Sequence, residues 1–251
     1  MSHPHTFAVT PTIHCVMRRS YFTCSYLVET AVGLIAIDAG MKSTGTEMLH
    51  AIDSLKRPVT DVEAILLTHW HNDHAAGAGE LAKLSGAEVY YSASEADDLT
   101  RQTASAGLRG RLSAIIPETG PLVLFKGLLG NAPQQAVDAT EFVRDGDVIA
   151  SDFEVIETPG HTAGHLSFYY RPLRLLFAGD ALAVIKSRLR FMARPVTEDL
   201  EAARQSMLRC LDRRIDFVCP GHREPLMHNT VAECERMRSY LADGQRWPLF
   251  G

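Results

Sequence analysis

The segment Thr68-His69-Trp70-His71-Asn72-Asp73-His74 puts three histidines and an aspartate within six residues. Imidazole nitrogen and carboxylate oxygen are the ligands that suit zinc and other borderline divalent cations. The segment follows the apolar run Ala64-Ile65-Leu66-Leu67, where a buried strand gives way to a loop. There His69 and His71, two apart, can point one way while Asp73 and His74 are carried onto the start of a helix. Histidine or carboxylate residues recur at His161, Asp180 and His222, each just past a strand-like apolar run. Strand ends are where loops converge in layered α/β sheets, so these places are expected to meet along one edge. Seven such ligands exceed the roughly three that a catalytic zinc takes beside water, which points to two ions and one shared carboxylate.

The elements that must position these residues alternate in type. Residues 12–16 and 24–37 read as strands, the latter a hairpin that ends in Asp38-Ala39-Gly40. A carboxylate at a buried strand end needs a partner, such as the N–H of a metal-bound histidine, although Asp before Gly is also turn chemistry. Ser43 or Thr44 is expected to cap a helix that runs to Leu55, with strand 64–67 and a helix to Ser85 after it. A strand at 88–91 and a helix from Ser94 to Ala104 close this half. Residues 105–140 carry glycines and prolines without regular pattern. They read as a lid over the site or an insertion, and their apolar residues would equally suit a homodimer contact. Strands are then expected at 147–149, 153–157, 166–170, 173–178 and 217–219, with helices at 198–212 and 229–242. The order of elements repeats loosely in two halves, with no close sequence repeat.

The chain has 251 residues, 46% hydrophobic and 22% charged, with 25 basic and 30 acidic residues for a net charge of −5. This is the composition of a globular α/β protein, and one domain spanning 1–251 is expected. Neither a nucleic-acid footprint nor an apolar run of the roughly 20 residues that cross a bilayer is present. Met1-Ser2-His3-Pro4-His5 is unlike a secretory signal, so a cytoplasmic protein without a membrane partner is expected. The five cysteines show no C-x-x-C spacing and read as reduced core thiols. No G-x-S-x-G elbow supports a serine nucleophile.

The motif T-H-x-H-x-D-H at Thr68–His74 is followed, in order, by G-H-T-x-G-H at Gly160–His165, G-D at Gly179-Asp180 and G-H at Gly221-His222. In this set the chain resembles the metallo-β-lactamase-fold hydrolase superfamily over nearly its whole length. The resemblance implies a four-layer αβ/βα sandwich with a dinuclear site on one edge. It assigns His69, His71 and His161 to a first metal, Asp73, His74 and His222 to a second, and Asp180 to both. Asp73 and Asp180 are then the catalytic carboxylates, and Asp38, Thr162 and His165 support them. Zinc is the expected ion, with iron or manganese as other occupants. A bridging water whose pKa is lowered towards neutrality would attack a carbonyl as hydroxide.

Within the superfamily the chain is closest in pattern to glyoxalase II-like and lactonase-like hydrolases, whose substrates are small thioesters, esters or lactones. Asp180 and the missing signal speak against a β-lactamase. Only about thirty residues follow His222, which leaves little for the glutathione-binding helices of glyoxalase II. A persulfide dioxygenase with one Fe(II) on two histidines and Asp180, and a non-catalytic metal-binding protein, are the readings from other classes. Trp70, Tyr21 and Phe22 are expected to line a small-molecule pocket, and Arg188 and Arg190, in the run Lys186–Arg190, to grip an anionic substrate.

Overall fold

The computed structural model describes residues 5–18, 22–96, 140–244 and 247. Tyr21 and the expected lid, up to residue 139, lie outside them, as does most of the helix expected from Ser94. The chain divides into two compact units, residues 1–90 with 96–141, and residues 91–95 with 142–251.

The first unit is built on a mixed sheet. Strands β1 (His5–Thr10), β2 (Ile13–Met17), β3 (Cys24–Glu29) and β4 (Leu34–Ile37) run antiparallel in sequence order. β5 (Val62–Leu66) and β6 (Glu88–Ser92) then add in parallel, each after a helical crossover. β7 (Thr140–Val143) is the seventh strand, beside β6. β2 to β5 are buried almost throughout, which explains why they read as apolar runs rather than alternating ones.

Helix α1 (Thr46–Ser54) starts one or two residues later than the expected caps allow, with Gly45 as its N-cap. Gly45 takes the left-handed φ of 63° at its N-cap, a conformation that Ser43 and Thr44 would adopt only with strain. The buried Glu47 carboxylate instead ties down the loop before the helix, accepting Met41 N–H at 2.7 Å and Lys42 N–H at 3.2 Å, and pairs with Arg18. Helix α2 (Asn72–Ala75) is a single turn after the histidine loop, and α3 (Ala78–Ser85) ends at the left-handed Gly86. Gly77, between them, packs where a Cβ would lie 2.2 Å from Ala39 O, so the helix start and the end of β4 touch backbone to backbone.

The second unit holds a five-stranded sheet in the order β14-β11-β10-β9-β8. Its strands are β8 (Val148–Ile149), β9 (Phe153–Glu157), β10 (Leu166–Tyr170), β11 (Leu175–Gly179) and β14 (Phe217–Pro220). β11 begins two residues later than expected, because Pro172 favours a 3-10 turn over Arg171–Leu173. The basic run Lys186–Arg190, for which no strand was expected, lies in a tight hairpin of β12 (Ala183–Ile185) and β13 (Arg188–Arg190). Lys186 and Ser187 turn it with φ of 53° and 57°, the geometry usually given to Asn-Gly, so the sequence carries no hairpin signal there.

Helix α4 (Leu200–Leu211) is capped by Asp199, whose Oδ1 accepts the N–H groups of Glu201 and Ala202 at 3.0 Å. It buries Ala203, Met207, Cys210 and Leu211, and helix α5 (Thr230–Ala242) buries Cys234, Met237 and Leu241 in the same core. All five cysteines are buried thiols outside any disulfide, and burial pushes the Cys210 thiol up to about 12. Among the described residues no helix is long and apolar enough to cross a membrane.

Candidate metal centre

Strand register brings the chemistry of the first unit together. β4 and β5 are parallel with Ile37 opposite Leu66, so the residues that follow, Asp38 and Leu67-Thr68, emerge side by side. Asp38 is 2% exposed, with φ of 56°, and its Oδ1 accepts Thr68 N–H at 2.8 Å. Thr68 Oγ1 donates to the same carboxylate at 3.0 Å and accepts from His69 Nδ1 at 2.9 Å. Asp38 Oδ2 accepts His74 Nδ1–H at 2.8 Å. One buried carboxylate thereby fixes both rings with the proton on Nδ1, directly for His74 and through Thr68 for His69, and leaves both Nε2 atoms as lone-pair donors.

The ring of His71 stands edge-on to that of His69, with its Nδ1 3.0 Å from His69 Nε2. His74 Nε2 lies 3.7 Å from Asp73 Oδ2, and that oxygen accepts Thr23 Oγ1–H at 3.1 Å. Trp70 packs against His71, ring centroids 4.5 Å apart. Phe22 is 49% exposed beside Thr23, again at a positive φ, 54°.

In the second unit three strand ends meet. β11 and β14 are parallel with Gly179 opposite Pro220, so Asp180 and His222 leave the sheet at the same end, and Gly221 N–H bonds Gly179 O at 2.7 Å. The antiparallel partner β10 sets His165, one residue before its start, beside Asp180. His165 Nε2 accepts Asp180 N–H at 2.9 Å. The His165 Nδ1 proton therefore goes to Thr158 Oγ1, at 2.7 Å, and hydroxyl protons pass on from Thr158 to Ser167, at 3.0 Å, and from Ser167 to Ala178 O, at 3.1 Å. This relay is fully buried and holds the Asp180 backbone from behind. In front of it, Asp180 Oδ2 is 3.4 Å from His161 Nε2 and 3.3 Å from His222 Nε2.

The Thr162 hydroxyl donates to Glu95 at 2.7 Å. Arg188 pairs with Glu233 of α5 at 3.2 Å, and Arg190 is exposed on the same hairpin. Burial alone would raise the Glu233 carboxyl, but Arg236, with Arg188 behind it, holds it below the usual range. Glu95, Thr23, Thr158 and Ser167 went unnoticed in sequence. An isolated Glu, Thr or Ser has no diagnostic spacing, and only strand register shows what it faces.

Each unit thus offers borderline-metal donors, and in the first unit the protons of His69 and His74 are held on Nδ1, away from Nε2. Imidazole and carboxylate groups gathered this closely are the donors a borderline divalent cation takes, so the residues fit a divalent metal.

The metallo-beta-lactamase superfamily model matches residues 21–222. The chain belongs to this superfamily. The Beta-lactamase-like protein 2 homolog of Caenorhabditis elegans is 26% identical over 223 residues, which cover 87% of this chain and 60% of the worm protein. The Probable metallo-hydrolase YflN of Bacillus subtilis is 26% identical over 216 residues, 76% of each chain. A hydroxyacylglutathione hydrolase of Pectobacterium carotovorum is 32% identical over 134 residues, 52% of this chain and 38% of that enzyme. The chain thus spans less than two thirds of the worm protein and of the Pectobacterium enzyme. Among solved structures, a metallo-beta-lactamase family protein of Thermus thermophilus superposes with a TM-score of 0.66 at 23% identity, covering 94% of this chain and 81% of its own. MEM-A1, a subclass B3 metallo-beta-lactamase from a soil metagenome, gives 0.65 at 23% identity, with 96% and 93% covered. These likenesses show the α/β metallo-beta-lactamase fold, and family and relatives together point to a metal-dependent hydrolase as the class.

Proposed function

We propose that the protein hydrolyses a small thioester, ester or lactone at a centre of two divalent cations, most readily zinc. His69, His71 and His161 hold one ion, Asp73, His74 and His222 the other, and Asp180 both. The observation that carries this reading is the approach of His161 Nε2 and His222 Nε2 to one oxygen of Asp180, at 3.4 and 3.3 Å. A carboxylate oxygen flanked by imidazoles from the two different ligand sets fits a residue shared between two ions. The relatives named hydroxyacylglutathione hydrolases support an acyl substrate, and YflN supports the wider metallo-hydrolase class.

Two such ions, when bound, bring the pKa of water near neutrality and polarise a carbonyl oxygen. The residues of the chain do the rest by holding ligands still. Asp38 keeps the protons of His69 and His74 on Nδ1, directly for His74 and through Thr68 for His69, so each neutral ring presents its Nε2 lone pair. Thr23 fixes one oxygen of Asp73, and His165 fixes the backbone of Asp180. Trp70 and Phe22 supply apolar surface near the first unit's ligands for the acyl or leaving group.

The test is a turnover screen on zinc-loaded protein over thioesters, lactones, aryl esters and β-lactams. Turnover in one of the first three classes, at least about tenfold above β-lactams, lost on chelation and restored by zinc, is the expected result. Hydrolysis that survives complete removal of metal, or oxygen uptake with a single iron, refutes the reading.

A further inference from the structure

His161 sits in the connection Thr158–His165 between β9 and β10, which is closed at its base by Thr158 N–H to His165 O at 2.8 Å and has glycines at 160 and 164 nearer His161. Two sets of contacts clamp it, one on either side of His161. On the near side, α4 holds the backbone: Ser206 Oγ donates to Pro159 O at 2.7 Å, and Asp199 N–H to Gly160 O at 2.9 Å. On the far side the clamp is a single carboxylate. Glu95, 2% exposed in the 3-10 turn Ala93–Glu95 after β6, accepts Thr162 Oγ1–H at 2.7 Å and Gly164 N–H at 2.8 Å, both through Oε1. The packing is close, since a Cβ on Gly164 would lie 2.8 Å from Glu95 Cγ and 2.9 Å from Ser92 Oγ.

A buried carboxylate is unfavourable unless it is well hydrogen-bonded, and hydrogen bonds to an ionised acceptor are short and strong. Space filling alone would be met by a neutral side chain. We infer that Glu95 is a positioning residue for His161, its carboxylate clamping the Thr162–Gly164 side of the loop so that the imidazole is preorganised for a divalent cation. This rests on the reading of His161 as a ligand.

The test is zinc affinity of the full chain, by competition with a chromophoric chelator, alongside the melting temperature of each variant. Partners that orient a metal ligand are worth about 10- to 100-fold in affinity. Glu95→Ala is therefore expected to bind zinc at least about tenfold more weakly while still folded. Glu95→Gln, which keeps an oxygen able to accept both bonds, stays within about threefold of wild type. Thr162→Val, which removes one bond and leaves no new buried charge, falls between. In the Glu95→Ala background Thr162→Val adds nothing, because its acceptor is already gone. A folded Glu95→Ala with wild-type affinity overturns the role, and so does a Thr162→Val effect that adds in full to it. A purely structural Glu95 would lower the melting temperature and leave the affinity of the folded protein unchanged. If Glu95→Ala does not fold, unchanged affinity in Thr162→Val overturns the proposal. A wild-type chain that binds no zinc overturns the reading of the whole site, whereas equal binding by wild type and Glu95→Ala overturns only the part given to Glu95.

Discussion

Asp38→Asn isolates the step on which both histidines of the first unit depend. Asparagine is among the few residues that tolerate a φ near 56°, so the substitution changes donors and acceptors with little backbone strain. Asp38 takes Thr68 N–H and Oγ1–H and His74 Nδ1–H on two oxygens at 2.8 to 3.1 Å. An amide has one oxygen, so its NH2 must face either Thr68 N–H or His74 Nδ1–H, donor against donor. If it faces His74, the ring keeps a hydrogen bond only by moving its proton to Nε2, the atom that lies beside Asp73 and would hold the metal. Loss of such a partner costs about 10- to 100-fold in metal affinity, or about 1.4 to 2.7 kcal/mol. One buried donor left unmatched costs about 1 to 3 kcal/mol of folding stability in the metal-free protein. Chelator competition measures the first and urea unfolding the second. Wild-type zinc affinity in a folded Asp38→Asn would refute the claim that this carboxylate sets the tautomers.

Three further outcomes are expected. His71→Ala, at a half-buried position, should lower hydrolysis by more than about 100-fold, beyond what loss of an orienting partner costs, with a far-UV spectrum like wild type; retained turnover would remove His71 from the site. Gly160→Ala should destabilise the protein by more than about 2 kcal/mol in urea, because the new Cβ would lie 2.4 Å from Ala203 N on a backbone with φ of 138°; a loss under about 1 kcal/mol would show that the loop shifts easily. The third concerns acid. Arg213, aided by Arg171, holds the Glu154 carboxyl below its ordinary value of 4.5, so this pair stabilises the fold above that pH and the contribution is lost as pH falls through the lowered value. Arg213→Ala should cost about 0.5 to 1 kcal/mol at pH 7, and the difference from wild type should shrink below pH 4.5; a difference that is constant with pH would point to packing instead.

The candidate site was legible in the chain because histidine and aspartate, the types that suit a metal, are clustered just past strands whose apolar runs are long and buried. β9 and β10 fall where their patterning places them, so His161 and His165 follow. The supporting groups were less legible. That Asp38 would need a partner follows from its burial at a strand end, but that Thr68 relays it to His69 depends on the parallel register of β4 and β5. Glu95 carries no spacing signal, and the two donors it accepts are 67 and 69 residues away. β12 and β13 escaped notice because Lys186-Ser187 turns without glycine or asparagine. The start of α1 was misplaced because Gly45, the residue that supplies the turn, offers no side chain to cap with.

The central claim is that two ions act together. It is tested most directly by adding zinc stepwise to metal-free protein while bound metal and hydrolysis of the best substrate are followed on the same sample. Activity is expected to reach its plateau only when two equivalents are bound. Full activity at one equivalent, or binding that saturates at one, would contradict it.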